Sequence, residues 1–207
     1  MTLRLLLASR NAGKLVELRR ILAAALGEHA VELVGLGDVP EYPEAPETGV
    51  TFGENALAKA RDGAKRSGLA TVADDSGLAV AVLGGMPGVF SARWAGRHGD
   101  DAANLRLLLD QIADLPDQHR SAGFVCAAAL VTPDGVEHVV EGRVAGHLIR
   151  EPRGENGFGY DPIFVPEGES RTTAEMSSAD KDAISHRGRA FRALAEVIAR
   201  SSASRQP

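Results

Sequence analysis

Residues 3–25 read LRLLLASRNAGKLVELRRILAAA, and this stretch sets the class of the fold. Residues 3–8 form a short apolar run that ends at Ser9-Arg10-Asn11-Ala12-Gly13. Leu15, Leu18, Ile21, Leu22 and Ala25 then recur at helical spacing, so the pattern is a strand, a tight polar turn and a helix. Gly27 stops that helix. Residues 31–36 make a second short apolar run before a loop in which Pro40, Pro43 and Pro46 deny regular structure. Thr51 caps a second helix, with Glu54 at the capping-box position and Ala56, Leu57, Ala60 and Ala64 on a narrow apolar side that permits close packing. Residues 69–73 read as a buried strand that ends at Asp74-Asp75-Ser76-Gly77.

Further along, Gly84, Gly85, Pro87 and Gly88 mark a loop, and Asp100 and Asp101 open a helix that reaches about Asp114. Residues 124–131 and 136–144 are two longer strands joined by Thr132-Pro133-Asp134-Gly135, an antiparallel hairpin signal. Gly154, Gly157 and Gly159 frame another loop, followed by a short apolar run at residues 163–165. A last helix starts near Ser178, keeps Ile184, Phe191, Leu194 and Ile198 on one side, and leaves residues 201–207 as a frayed polar tail. Strands alternating with helices, then a hairpin, predict an α/β (α+β) protein with a mixed, twisted sheet flanked by helices. No repeat or long linker divides residues 1–207, so a single domain, with room for two lobes, is expected.

Composition narrows the function classes. With 23 Lys+Arg against 28 Asp+Glu, the formal charge of −5 and the lack of a basic run argue against nucleic acid or an anionic membrane as the main partner. The single cysteine, Cys126, rules out an internal disulfide and a Cys-rich zinc site; its apolar neighbours suggest a small core residue. Apolar runs fall well short of a membrane span, and the first residues lack the build of a signal peptide, so a cytoplasmic protein is expected.

Four groups of residues carry chemistry. Asn11, Gly13 and Lys14 stand where a strand enters a helix, a place that suits phosphate, although Ala8 and Leu15 break the P-loop pattern; a structural turn with a solvated lysine is the alternative. Asp74 and Asp75 end an apolar strand, and paired buried carboxylates need a proton or a divalent cation, here Mg²⁺ with Mn²⁺ as the alternative ion. A local cap on Gly77 or Leu78 is the plainer reading. Glu47 in the proline-rich loop and Glu54 in the next helix can reach the same metal, although Glu54 also suits a capping box; Lys59 stands at i+4 from Asn55 and can face the same ligand. Gly157-Phe158-Gly159-Tyr160-Asp161 sets aromatic rings on a glycine frame able to stack on a purine, or else plugs the core, and Lys181, His186 and Arg187 add donors for a base carbonyl or a phosphate. A nucleoside triphosphate fits all four.

These residues resemble the inosine triphosphate pyrophosphatase family, its bacterial dITP/XTP-hydrolysing branch in particular. Six ordered segments carry the resemblance over nearly the whole chain: Ser9-x-Asn11-x-Gly13-Lys14, Thr51-Phe52-x-Glu54-Asn55-Ala56, Ala73-Asp74-Asp75-Ser76-Gly77-Leu78, Pro87-Gly88-Val89-Phe90-Ser91-Ala92-Arg93, Phe158-Gly159-Tyr160-Asp161-Pro162-Ile163-Phe164 and Ile184-Ser185-His186-Arg187-Gly188. The resemblance implies hydrolysis of dITP, ITP and XTP to the monophosphate and pyrophosphate, a Mg²⁺ requirement, a two-lobed fold with the substrate in a central cleft, and a homodimer. It implies that Ser9, Arg10, Asn11, Ala12, Gly13 and Lys14 contact substrate at its phosphates. Asp75 becomes proton acceptor and metal ligand, with Asp74 beside it and Glu47 sharing the metal. Ser76, Phe158, Gly159, Tyr160, Asp161, Lys181, His186 and Arg187 hold the nucleotide. Glu47 follows Pro46 where relatives can show a second acid. The rivals are a Maf-like nucleotide pyrophosphatase with another base preference, against which the Asp-Asp-Ser-Gly and Ser-His-Arg-Gly segments stand, and a nucleotide sensor without hydrolysis, which has no need of paired acids.

Overall fold

A computed structural model describes residues 3–10, 12–27, 30–43 and 46–203. Its first strand, β1 (Leu3–Leu7), leads into α1 (Ala12–Leu26), and β2 (Val31–Val34) lies parallel to β1 with Leu33 opposite Leu5. Leu18, Ile21 and Leu22 form the buried stripe of α1, but Ala25 is exposed and Leu26 packs against the core in its place. Gly27 takes φ +95° and its N–H bonds to the Ala23 carbonyl, the left-handed stop that glycine makes at little steric cost. The second apolar run is shorter than expected and gives way to a 3₁₀ turn at Leu36–Asp38.

α2 (Phe52–Ser67) begins on Thr51, whose hydroxyl accepts the Glu54 N–H while the Glu54 carboxylate accepts the Thr51 N–H, a reciprocal capping box. Ala56, Ala60 and Ala64 pack on Ala73, Ala127 and Ala129. Small side chains let the helix settle close: a Cβ on Gly63 would come within 2.7 Å of Thr71 Cγ2.

The next strand, β3 (Ala70–Val80), corrects the sequence reading. It does not end at Ala73 but runs through Asp74, Asp75, Ser76 and Gly77. A Cβ at Gly77 would collide with Ser91 Oγ and the Gly88 carbonyl, so glycine is what admits the neighbouring 3₁₀ segment Gly88–Arg93. Ser91 Oγ accepts the Leu78 N–H at 2.9 Å, which fills the role assigned to a local Asp cap.

α3 (Asp101–Gln111) is capped by Asp100, then β4 (Ser121–Val131) and β5 (Glu137–Leu148) form the hairpin, closed by the Thr132 N–H on the Val136 carbonyl. β6 (Phe164–Pro166) is antiparallel to β5, and the sheet order is β2-β1-β3-β4-β5-β6. The single C-terminal helix of the sequence reading is two, α4 (Ser178–Ile184) and α5 (His186–Ala203). Ser185 separates them at φ −63°, ψ 152°, the extended conformation a residue takes when a helix starts after it. Helix therefore continues into the stretch expected to fray, and residues 204–207 lie outside the described part.

The chain divides into two compact units, residues 1–75, 126–142 and 187–207 in the first and 76–125 and 143–186 in the second. The first is built on Leu5, Leu7, Leu18, Val72, Cys126, Phe191 and Leu194. The second is built on Leu78, Val80, Leu108, Ile112, Phe124, Leu148 and Phe164. Among the described residues no helix is long and apolar enough to cross a membrane.

Candidate active site

The two acids of β3 point to opposite faces of the strand, as consecutive strand residues must, and each meets its own lysine. Both oxygens of Asp74 lie 3.0 Å from Lys14 Nζ, and Oδ2 also accepts from Arg187 Nε at 3.3 Å. Arg187 extends further to Glu17 Oε2 at 3.0 Å. The Asp74 side chain is wholly buried. Burial would raise its pKa, but the charges of Lys14 and Arg187 outweigh that and hold the carboxyl well below the usual carboxylate range. Cys126 lies behind this network with its thiol pKa pushed up by burial and by the Asp74 charge, the inert core residue its neighbours suggested.

Asp75 belongs to a different cluster. Its Oδ2 accepts from Asn55 Nδ2 and its Oδ1 from Lys59 Nζ, both at 3.1 Å. Lys59 Nζ also bonds Glu47 Oε1 at 2.5 Å, so one ammonium gathers the proline-rich loop's acid and the strand's acid. Asn55 and Lys59 stand one helical turn apart on α2, which brings both onto Asp75. Burial raises the pKa of Asp75 and more than offsets the lowering by Lys59. For Lys59, burial opposes the charged form, but Asp75 and Glu47 outweigh it and raise its pKa.

In this structure each of the adjacent acids lies against its own lysine, Asp74 being engaged by Lys14 and Arg187 while Asp75 and Glu47 share Lys59. Among the described residues no group of three or more His, Cys, Asp or Glu side chains is placed to hold a metal. The pair Glu47 and Asp75 does fit Mg²⁺, which takes oxygen ligands and commonly binds through one or two carboxylates with substrate phosphates completing the shell. Glu54 is held by its capping box, its Oε2 accepting from Val50 N and Thr51 N.

Of the turn after β1, Asn11 lies outside the described residues. Ser9 and Arg10 line a cavity of about 580 Å³ together with Leu15, Gly35 to Val39, Glu41 and Tyr42. Ala12 and Gly13 open α1, which carries Lys14 toward Asp74.

In the second unit, Phe158 is 53% exposed whereas Tyr160 and Asp161 are 3% exposed, so the glycine loop presents one ring and buries the rest. Tyr160 donates its hydroxyl to the Ser91 carbonyl at 2.9 Å. Asp161 Oδ2 accepts from Phe158 N at 2.8 Å and from Lys181 Nζ at 2.5 Å, and its Oδ1 accepts from Thr173 Oγ1 at 2.8 Å. Its carboxylate thus shapes the loop. Lys181 Nζ lies 5.4 Å from the Phe158 ring centroid. His186 is buried, its ring stacked on Phe124 with centroids 4.9 Å apart, and Arg187 is 4% exposed. Ser76 follows Asp75 along β3 at intermediate exposure, and Gly159 holds φ +61°. Glu17, Thr173 and Asp101 complete these networks without a sequence signal, because their partners lie far along the chain.

The family model described as Ham1 family matches residues 5–197. A protein named dITP/XTP pyrophosphatase from Streptomyces coelicolor is 63% identical over 195 residues, 94% of this chain and 96% of that one. Among solved structures, the nucleoside-triphosphatase / dITP/XTP pyrophosphatase from Mycobacterium abscessus matches with TM-score 0.77 at 62% identity, covering 93% of this chain and 98% of that one. A HAM1 protein from Coxiella burnetii matches with TM-score 0.85 at 41% identity, over 96% of this chain and 100% of that one. A family model that spans residues 5–197 and relatives more than 60% identical over nearly the whole chain place it in the Ham1 family.

Proposed function

We propose that the chain hydrolyses deaminated purine nucleoside triphosphates such as dITP, ITP and XTP to the monophosphate and pyrophosphate. The observation that carries this reading is Asp75, a buried carboxylate oriented by Asn55 and Lys59 and joined through Lys59 to Glu47. Its support is the names of full-length relatives at above 60% identity.

Asp75 acts as the base. Burial raises its proton affinity, which brings a carboxylate nearer to the pKa that suits proton transfer from water at neutral pH. Asn55 and Lys59 fix its two oxygens, so the lone pairs keep one direction while the proton moves. Glu47 and Asp75 would hold Mg²⁺, which when bound neutralises charge on the phosphate oxygens and lowers the cost of attack at phosphorus. Lys14 supplies a cation beside the turn that receives phosphate, and Asp74 with Arg187 keeps it oriented. The exposed Phe158 ring stacks on the purine and Lys181 stands beside it as a donor to the 6-oxo group, which hypoxanthine and xanthine carry and adenine does not. The family resemblance extends the proposal to a cytoplasmic homodimer.

Product analysis with dITP and Mg²⁺ tests it. The proposal expects one pyrophosphate per nucleotide monophosphate; orthophosphate with a nucleoside diphosphate would refute it.

A further inference from the structure

A glycine frame with Gly157 at φ +77° and Gly159 at φ +61° has no stiffness of its own. The ring it presents can select a base only if something holds the loop at one angle. Two carboxylates do so through consecutive amides. Asp161 takes the Phe158 N–H, but Asp161 is three residues away and travels with the loop. The Gly159 N–H goes elsewhere, to Asp101 Oδ2 at 2.8 Å, across 58 residues of sequence.

We propose that Asp101, the first residue of α3, is a positioning residue for the base platform, holding the Gly159 amide and so fixing the angle at which Phe158 meets a purine. The inference rests on the reading of Phe158 as that platform. α3 is a firm mount: Leu108 and Ile112 are fully buried in the core of the second unit, and buried Asn104 accepts the Ala95 N–H at 2.7 Å. Asp100 Oδ1 caps the helix by accepting the Ala103 N–H, which leaves the neighbouring carboxylate of Asp101 for the loop. Tyr160, next along the chain, is anchored in the same unit by its bond to Ser91, and its hydroxyl pKa is raised by burial and then by the charge of Asp101. A charged acceptor on an amide is about twice as strong as a neutral one, so this one bond can outweigh the loop's own freedom.

The test compares four variants on XTP, dITP and ATP. Asp101→Ala is expected to raise KM for XTP about ten-fold, the scale of one lost hydrogen bond to a charged group, to narrow the preference for XTP over ATP, and to leave kcat nearly unchanged. Asp101→Asn keeps an oxygen for the amide and should restore most of both. Asp100→Ala weakens the cap of the same helix without touching Gly159; it should lower the melting temperature and leave KM and selectivity alone. Phe158→Ala should abolish the preference itself. If Asp101→Ala and Asp100→Ala behave alike, Asp101 is merely a helix-end residue and the inference falls. If Phe158→Ala changes selectivity while Asp101→Ala does not, the platform stands and Asp101 is not its support. If Phe158→Ala leaves selectivity intact, the platform reading falls and the inference with it. Should Asp101→Ala fail to fold, Asp101→Ser, which suits a helix start but is too short to reach Gly159, gives the same comparison.

Discussion

Asp74 and Asp75 are adjacent, similarly buried and oppositely tuned, and the difference is one of partners. Asp74 sits between two cations, so its ionised form is favoured and its folded pKa lies below that of the unfolded chain. Such a group stabilises the fold fully above the ordinary carboxylate value of 3.8 and loses that contribution as pH falls below it toward the folded value. Asp74→Asn leaves Lys14 and Arg187 short of their anion and is expected to cost about 3–5 kcal/mol in urea unfolding at pH 7, with the gap to the wild type shrinking at pH 3. Asp75 is the reverse case. Its pKa is raised chiefly by burial, so above that pKa its charge works against folding. Asp75→Asn should therefore lower kcat by roughly 10²–10⁴-fold while the melting temperature holds or rises. The acid limb of the wild-type kcat/KM profile should lie above pH 3.8, the unperturbed value.

At the scale of elements, the legible parts of the sequence are those whose cause lies within a few residues. The opening strand and helix, the Thr51 and Glu54 capping box and the Gly27 stop all depend on near neighbours and are found in the structure, with α1 beginning at Ala12, inside the stretch read as a turn. β3 was read short because two acids in a buried strand are costly unless paired, and the partners that permit them, Lys14 and Lys59, lie 60 and 16 residues away. The break at Ser185 is hidden by an apolar periodicity that runs through it. In the site, Asp75, Glu47 and Lys59 were legible as residue types that a metal and a phosphate need, whereas the engagement of Arg187 with Asp74 and Glu17 is a product of folding alone. α2 carries both Asn55 and Lys59, so its start bears on the site. Thr51→Ala removes a cap worth about 1 kcal/mol, and the urea midpoint should fall accordingly. Ala60→Leu, at a fully buried position packed on other alanines, should cost about 1–3 kcal/mol and disturb turnover as well, because α2 must move off β3 to admit it.

Across the whole molecule, a formal charge of −5 is compatible with an anionic ligand because the acids of the candidate site are locally answered by cations. Asp74 is neutralised by Lys14 and Arg187, Asp75 and Glu47 share Lys59, and Asp161 takes Lys181. In the proposed function Lys14 is the cation beside the phosphates and Lys181 the one beside the base. The claim that ties the molecule together is that it chooses the deaminated base and cleaves between the first and second phosphates. Measuring kcat/KM for XTP, dITP, GTP and ATP with Mg²⁺, with pyrophosphate as the detected product, tests it most directly. XTP and dITP should exceed ATP by at least about 10²-fold, the discrimination that a site donating to the 6-oxo group supplies against adenine, which lacks it. Equal rates on ATP and XTP would contradict the account.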